Sequence, residues 1–361
     1  MADKGHKETD LVLLRMENLI SLIYSMANRD IRKKIDEYFA KYKNKDEAKR
    51  KMLENGDITE EEYRKWRTGQ LLVGSRWIAM ARQIAKDYHS ANVIARRIIE
   101  DNLPDVYAIN MNYLTYTIEH ELGVDTAFTL YNREAVEHIL RENPKMLPKP
   151  GRALAARIAA GKDVLWNNQQ IQSVMMQGII QGESIPEIAS RLETVTERNR
   201  NNALRNARTM TTYAENLGRV DAMKRVQNKG IQVMKTWVAT LSYRTRHAHR
   251  ILDGQTVPPD QPFDYEGIKL MCPGDQSLGA PGWMIYNCRC STIPQIKGFE
   301  YDMSDMGFRN SKELYGTSYE QWKESKFVYS DKITKQDEIA RIMKAKYMAE
   351  YKKAMKNERG D

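Results

Sequence analysis

Residues 237–249, Trp-Val-Ala-Thr-Leu-Ser-Tyr-Arg-Thr-Arg-His-Ala-His, open the stretch that decides how this chain is organised. The stretch continues through Leu252-Asp253-Gly254-Gln255 and Cys272-Pro273-Gly274-Asp275, and it closes on Asn287-Cys288-Arg289-Cys290 before Pro294. It contains all 3 cysteines of the chain. Its glycine and proline turns contrast with the helical periodicity on both sides, which predicts a small compact module.

Apolar residues recur at helical spacing through most of the sequence before this stretch. The spacing predicts a helix over 9–44, followed by a long helix that begins at a capping box of Thr59 and Glu62. That second helix is expected to end near Pro104, because the residue before a proline avoids helical geometry. A short helix is predicted after the N-cap Asn132.

The middle of the chain is predicted to be helical as well. Residues 147–151, Leu-Pro-Lys-Pro-Gly, have the composition of a linker. Helices are expected over Val164–Gln181, after a capping box at Ser184–Glu187, and over Glu197–Gln227. The period changes at Ile231, where a strand is predicted to enter the module.

Within the module, the pattern predicts a strand over 231–238, a helix over 244–251, and strands over 283–285 and 290–293. Residues 301–331 are expected to be irregular, with Tyr319 and Trp322 as packing anchors. A basic helix is predicted over Lys332–Arg359.

These patterns predict a mainly α protein with a small α+β module near its C-terminus. The predicted regions are an N-terminal helical region (1–150), a middle helical region (151–232), the α+β module (233–300), and an irregular segment with a basic C-terminal helix (301–361).

Composition limits the classes of function. The net charge is +9 and the pI about 9.2, which favours an anionic neighbour such as nucleic acid. The alternative is a solvated helical surface, because 57 basic residues are interleaved with 48 acidic ones. The polar N-terminus lacks the apolar core of a signal peptide, and no apolar run approaches the ~20 residues of a membrane helix. Synthesis in a reducing cytoplasm is therefore expected.

One histidine and the three cysteines are candidate metal ligands: His249, Cys272, Cys288 and Cys290. An imidazole and three thiolates can form a tetrahedral structural zinc site. The close pair is Cys-x-Cys, whereas common zinc sites pair their ligands as Cys-x2-4-Cys. His247 is an alternative to His249, and a lone cysteine is often only a small buried hydrophobic residue.

Catalytic interpretations use the same residue types. A zinc hydrolase could take Asp253 or Asp275 as its general base, but no His-Glu-x-x-His or His-x-Glu pattern is present. No phosphate-binding Gly-x-x-x-x-Gly-Lys-Ser/Thr loop is present either. The residue types of a nuclease or a cysteine nucleophile also occur: His247, His249, Asn287, Cys288 and Cys290.

A structural interpretation accounts for more of these residues. Asp253-Gly254 has turn chemistry, and Asp275 ends a second turn. Arg244 and Arg246 can bind carboxylates or backbone carbonyls, with the two aspartates as plausible partners. Asn287 can bond backbone groups across a turn.

The ordered motif resembles the domain of phage Mu protein F-like minor head proteins, also called phage head morphogenesis proteins. The block 164–230, with Arg208-Thr209 and Ala214-Glu215-Asn216, resembles the region upstream of that domain. Ser242 stands where the family usually has an acidic residue, and Cys272 where it often has another residue. The positions that carry the motif are Trp237, Arg244, Arg246, His249, Asp253, Gly254, Phe263, Pro273-Gly274-Asp275, Asn287, Cys288, Arg289 and Cys290.

The resemblance implies a non-enzymatic virion component, made in the cytoplasm of the host bacterium and present in few copies at the portal vertex. Its implied partners are the portal protein, the major capsid or scaffolding protein, and packaged double-stranded DNA. Its implied roles are head assembly and DNA packaging or ejection. A metal-dependent enzyme and a sequence-independent DNA-binding protein are the alternatives.

Overall fold

The chain is mainly α, as predicted. The computed structural model describes residues 3–71, 75–123, 125–126, 128–142, 158, 160–181, 183, 185–296 and 336–359. The helices are α1 (Lys4–Glu54), α2 (Glu60–Leu71), α3 (Ser75–Leu122), α4 (Arg133–Glu142), α5 (Asp163–Ile180), α6 (Ile185–Gln227), α7 (His247–Leu252), α8 (Gly282–Ile285) and α9 (Gln336–Arg359). The strands are β1 (Val233–Val238), β2 (Thr256–Val257), β3 (Phe263–Tyr265), β4 (Ile268–Leu270) and β5 (Ser291–Ile296).

Two predicted helix starts are confirmed by their cap bonds. The Thr59 N–H donates to Glu62 at 2.9 Å, and the Glu62 N–H donates to the Thr59 hydroxyl at 3.2 Å. Asn132 accepts the Ala135 N–H at 2.9 Å, one residue before α4 begins. In both cases a short polar side chain satisfies a backbone donor that the helix itself leaves unpaired.

The predicted helix end at Pro104 is wrong. Pro104 lies inside α3, which continues to Leu122. A proline inside a helix costs about 3 kcal/mol because it removes one backbone hydrogen bond and crowds the preceding turn. Packing on both sides offsets this cost, since Leu103, Val106 and Tyr107 are all buried.

The strand predicted over 283–285 is also wrong. These residues form the helical turn α8, in which the Tyr286 N–H donates to the Gly282 carbonyl at 2.9 Å. Their backbone is thereby satisfied locally and needs no neighbouring strand. The predicted helix over 244–251 begins later, at His247, and Arg244 precedes it in a turn. Ser184, the linker 147–151, Tyr319 and Trp322 lie outside the described residues.

Contacts divide the chain into two compact units. One contains Met1–Glu17, Ile99–Pro150 and Arg205–Glu338, and the other contains Asn18–Ile98, Gly151–Leu204 and Ile339–Asp361. Both units draw on distant parts of the sequence, whereas the four predicted regions are consecutive. No helix within the described ranges combines the length and the apolar character that crossing a bilayer demands.

The second unit is a helical core. Tyr88 is fully buried, and its hydroxyl donates to the Leu192 carbonyl at 3.0 Å. Lys34 forms an ion pair with the buried Asp87. The apolar side chains of this core come from α1, α3, α5 and α6: Ile31, Ile35, Met80, Ala81, Ile84, Ala85, Tyr88, Ile171, Met175, Ile188, Leu192 and Val195.

The first unit holds the sheet. β1 is its central strand and pairs antiparallel with β2 on one side and β5 on the other. In the longer pairing, Trp237 lies opposite Thr292. A separate hairpin joins β3 to β4. The apolar core beside the sheet includes Met111 and Phe128 together with Val226 and Ile296.

Gly218 allows α6 to approach α3 closely within the first unit. A β-carbon at this position would lie 2.6 Å from the Tyr107 carbonyl oxygen and 3.2 Å from the Met111 nitrogen. Both atoms belong to the backbone, so neither can move away cheaply. Only glycine fits this contact without displacing one of the helices.

We expect Gly218→Ala to lower the free energy of unfolding by about 1–3 kcal/mol, the usual cost of overpacking. Gly69→Ala is the matched control, because a β-carbon there meets nothing within 4 Å. In that helix alanine should raise stability by about 0.5–1 kcal/mol. Chemical denaturation of both variants measures the contrast, and equal effects would refute the close approach.

A buried charge cluster joins the start of α1 to α6. The Arg219 guanidinium, 1% exposed, lies 2.6 Å from an Asp3 carboxylate oxygen and 3.1 Å from Glu215. His6 Nδ1 lies 2.9 Å from the same Glu215 oxygen. Attraction to the Glu215 carboxylate raises the pKa of His6 to about 9.

This cluster predicts a pH dependence. Because the pKa of His6 is higher in the folded chain, its protonated form stabilises the fold fully below pH 6.5. That stabilisation is lost as pH rises through about 9. The difference in unfolding free energy between wild type and His6→Gln should therefore shrink over this interval. A difference that stays constant or grows with pH would contradict the assignment.

Candidate functional site

Trp237 is the centre of the module's core. It lies on β1, is fully buried, and meets the Phe263 ring edge-on at a centroid distance of 5.2 Å. The imidazole of His249 meets the same indole at 5.8 Å. Packing against Trp237 thus brings α7 and the hairpin strand β3 together beneath the sheet.

Three of the four predicted metal ligands form one cluster. The ligand atoms of His249, Cys288 and Cys290 all lie within 4.8 Å of one another, and the three residues are only 3–4% exposed. His249 Nδ1 is 3.2 Å from the Cys290 sulfur and 3.7 Å from the Cys288 sulfur. The chain's cysteines are free thiols.

Backbone contacts orient the side chains of this cluster. His249 Nε2 lies 2.7 Å from the Met284 carbonyl oxygen, which can only accept a hydrogen. Nε2 therefore carries the proton, and the lone pair of Nδ1 faces the two sulfurs. The Cys290 N–H donates to the Cys288 sulfur at 3.4 Å. The first contact orients the His249 ring, and the second favours a thiolate at Cys288.

The two thiols share their protons unequally. A hydrogen bond from the Cys290 thiol lowers the pKa of Cys288 below its usual value, against the effect of burial. The same hydrogen bond raises the pKa of Cys290 well above its usual value. Without a bound metal ion, the pair therefore favours one thiolate and one thiol.

Cys272 lies outside this cluster. It is buried against Tyr213 and Val220, and burial raises the pKa of its thiol. Its place is set by the preceding β4 and by the turn that Asp275 closes. Asp275 accepts the Met271 N–H at 2.8 Å. The structure thus brings together three of the four candidate ligands and separates the fourth.

Lys235 is a buried cation next to this turn. Its ammonium donates to the Met271 carbonyl at 2.6 Å and to the Pro259 carbonyl at 3.1 Å. It also lies 5.0 Å from the centre of the Phe263 ring. Burial lowers the pKa of Lys235 to about 8. These contacts hold two loops against β1.

A row of polar side chains on α6 binds the backbone of residues 287–292, which are called the cysteine segment below. The row consists of Thr209, Thr212, Asn216 and Arg219. The Thr209 hydroxyl accepts the Asn287 N–H at 3.1 Å. One turn along the helix, the Thr212 hydroxyl donates to the Cys288 carbonyl at 2.6 Å. Asn287 has a φ of 53°, so the chain reverses here in a conformation that asparagine tolerates.

The row continues along the outer edge of β5. Asn216 donates to the Cys290 carbonyl at 3.1 Å and accepts the Thr292 N–H at 2.7 Å. Arg219 donates to the Thr292 carbonyl at 3.4 Å. An edge strand presents unpaired backbone groups, and here helix side chains cover them.

Of the predicted arginines and aspartates, Arg246, Asp253 and Asp275 bind backbone groups. Arg246 donates to the Tyr286 carbonyl. Carboxylates and backbone carbonyls were both predicted as partners of this arginine, and the structure shows a backbone carbonyl. Arg244 is exposed and donates to the neighbouring Tyr243 hydroxyl at 2.8 Å. Asp253 accepts the Ala239 N–H at 2.7 Å. These side chains brace turns of the module.

The remaining motif positions serve the same turns. Gly254 has a φ of +79°, and its N–H donates to the Trp237 carbonyl at 2.8 Å. The Arg289 carbonyl accepts the Thr240 hydroxyl at 2.8 Å, while the Arg289 side chain is exposed. His247 is exposed on α7. Among the described histidines, cysteines and acids, neither Asp253 nor His247 belongs to the group of candidate metal ligands.

Sequence reasoning did not predict that the row on α6 binds the module, although Thr209 and Asn216 belong to the block whose family resemblance it noted. Thr209, Thr212, Asn216 and Arg219 follow one another at spacings of three or four residues, which places them on one helix face. A polar stripe of this kind within a helix with apolar faces is the signal that could have indicated them. The partners of the row lie more than 70 residues away, so the sequence alone does not show what the stripe binds.

We expect Asn216→Ala to lower the free energy of unfolding by about 3 kcal/mol, because it leaves two buried backbone groups unpaired. Asn201→Ala is the matched control, since Asn201 is exposed on the same helix. Chemical denaturation measures both variants. A loss for Asn216→Ala no larger than that of the control would contradict the role of the row.

Comparison with known proteins gives two relatives. The chain is 28% identical over 221 residues to the NAD(+)–arginine ADP-ribosyltransferase EFV of Enterococcus faecalis, which covers 61% of this chain and 42% of that protein. The chain thus spans less than half the length of this relative. It is 24% identical over 296 residues to the minor head protein GP7 of Bacillus phage SPP1, covering 81% of this chain and 86% of that protein.

No solved structure shows a significant match to the chain. A protein family does match. The matched residues, 169–293, begin within α5 and run through α6 and the module to β5. They include His249, Cys288 and Cys290 and the whole row on α6 that binds the backbone beside the two cysteines. Over this range the chain is similar to the family described as Phage Mu protein F like protein.

Proposed function

We propose that this protein is a phage minor head protein, a structural component of the virion. One observation carries the proposal: the similarity to a phage minor head protein extends over 81% of this chain and 86% of that protein. A match of this extent includes the helices as well as the module. The proposed role therefore belongs to the whole chain and not to the cysteine segment alone.

The site's geometry supports a structural role. The acids and Arg246 of the motif bind backbone groups, and the cluster of His249, Cys288 and Cys290 is buried. A catalytic group needs a path to its substrate and a free reactive atom. Side chains that brace turns serve the stability of the module instead.

The proposed partner is the portal protein of the same phage, with the major capsid or scaffolding protein as further neighbours. The module exposes large apolar side chains, which is typical of protein contact surfaces. Tyr243 is 84% exposed and Trp283 is 52% exposed. Aromatic side chains of this kind supply much of the binding energy in protein interfaces.

Packaged double-stranded DNA is a further proposed neighbour. The net charge of +9 favours a position beside an anionic polymer. Contacts between lysine or arginine and phosphate release counterions, so their strength falls steeply with salt. Charge supports residence beside DNA in the head, and with it a part in packaging or ejection.

A transferase activity is the competing interpretation, because one relative is named as an ADP-ribosyltransferase. The match covers 42% of that relative, so more than half of its length lies outside the matched region. We propose that the part of that relative which this chain matches is not its catalytic part. Transfer of ADP-ribose from NAD⁺ to arginine by the purified chain would overturn this assignment.

The test is co-expression of the tagged chain with the portal protein encoded in the same phage genome. We expect the portal protein to be retained on the affinity column, and we expect Trp283→Ala to lower its retention about tenfold or more, as for an interface hot spot. Leu165→Ala is the control, because Leu165 is similarly exposed, at 56%, outside the module. Absence of association for the wild-type chain would contradict portal binding.

A further inference from the structure

The buried cluster beneath Trp237 has the donor atoms of a metal site. Its members are one imidazole nitrogen of His249 and the sulfurs of Cys288 and Cys290. We propose that these three residues bind one zinc-class divalent ion, which fastens α7 to the cysteine segment. Cys272, the remaining cysteine, takes no part. The proposal does not depend on the function assigned to the whole chain.

The distances fit a tetrahedral ion. Zinc bonds of about 2.3 Å to sulfur and 2.0–2.1 Å to nitrogen place a nitrogen and a sulfur about 3.6 Å apart around the metal. His249 Nδ1 lies 3.2 Å from the Cys290 sulfur and 3.7 Å from the Cys288 sulfur. The three donors therefore need only small shifts to coordinate one ion. Two thiolates and an imidazole suit zinc far better than calcium or magnesium.

The surroundings hold each ligand in the orientation that coordination requires. His249 Nε2 is bonded to the Met284 carbonyl at 2.7 Å, which leaves Nδ1 as the coordinating atom. Metal-binding histidines typically donate their second ring N–H to such an acceptor. The Cys290 N–H points at the Cys288 sulfur at 3.4 Å, and a hydrogen bond of this kind stabilises a thiolate.

A buried donor lies beside the cluster. Trp237 Nε1 is buried, the ring centroid of Trp237 is 5.8 Å from that of His249, and the indole N–H interacts with Cys290. A donor of this kind stabilises a thiolate, which is the form of cysteine that binds zinc.

Burial points to a structural ion. The three ligands are 3–4% exposed, so a substrate has no open approach to the metal. The described ranges bring together three potential ligands, so a water molecule would occupy the fourth position, and burial rather than a fourth protein ligand closes the site to substrate. Binding displaces the remaining thiol protons and cross-links residues separated by 39 and 41 positions in the chain.

The experiment uses the full-length chain, unfolded with a chelator in a non-thiol reductant and refolded with Zn²⁺ or Co²⁺. After gel filtration we expect one ion per chain in wild type and in Cys272→Ser. We expect none in Cys288→Ser or Cys290→Ser. Cys272→Ser is the matched control because Cys272 is as buried as the proposed ligands. Equal loss of metal from Cys272→Ser would overturn the three-residue ligand set.

If a cysteine variant fails to fold, metal binding can still be tested on the wild-type chain by its Co²⁺ spectrum and its Tm. Bound Co²⁺ should give the near-ultraviolet thiolate charge-transfer band and the intense visible bands of a tetrahedral ion. Zn²⁺ should raise the wild-type Tm by about 5–10 °C at saturation, reversibly on chelation. A wild-type chain that refolds without binding either ion, with an unchanged Tm, would refute the proposal.

Discussion

The first unit depends on one long-range interaction, the pairing of the α6 side chains with the backbone of residues 287–292. The cysteine segment cannot form regular hydrogen bonds throughout its length, because it reverses at Asn287 before it enters β5. Buried carbonyl and N–H groups in such a segment need partners from elsewhere. Thr212 and Asn216 provide them, and in doing so fix the positions of both cysteines.

This pairing requires that α6 lie close to its neighbours in a fixed position. Gly218 and Arg219 hold it there. Gly218 lets α6 lie against the backbone of α3, and the buried Arg219 guanidinium pairs with the carboxylates of Asp3 and Glu215. Burying a guanidinium is costly unless carboxylates and carbonyls surround it, as Asp3, Glu215 and the Thr292 carbonyl do. The paired charge of Arg219 and the missing side chain of the adjacent Gly218 therefore both fix the C-terminal end of the row.

Sequence patterns predicted the features that depend on residues close together in the chain. They failed for features that depend on contacts between distant residues. The capping box at Thr59, the cap at Asn132 and the strand at β1 follow from local hydrogen bonding and periodicity. The helix end predicted at Pro104 is wrong, because packing of the helix outweighs the tendency of proline to end it. Residue types alone suggested His249, Cys288 and Cys290 as partners, but the position of Cys272 depends on Tyr213, which no sequence pattern connects to it.

The matched range of the family, 169–293, includes all of α6, whereas the ordered arginine, histidine and cysteine motif begins only at Trp237 and the block 164–230 resembles only the region upstream of it. The row on α6 gives a physical reason for this difference. Without Asn216, the backbone of Thr292 and Cys290 would lose its partners, and the edge of β5 would be open. The α+β module and the end of α6 thus form one cooperative structure, and the contact-defined unit accordingly runs without interruption from Arg205 through the module.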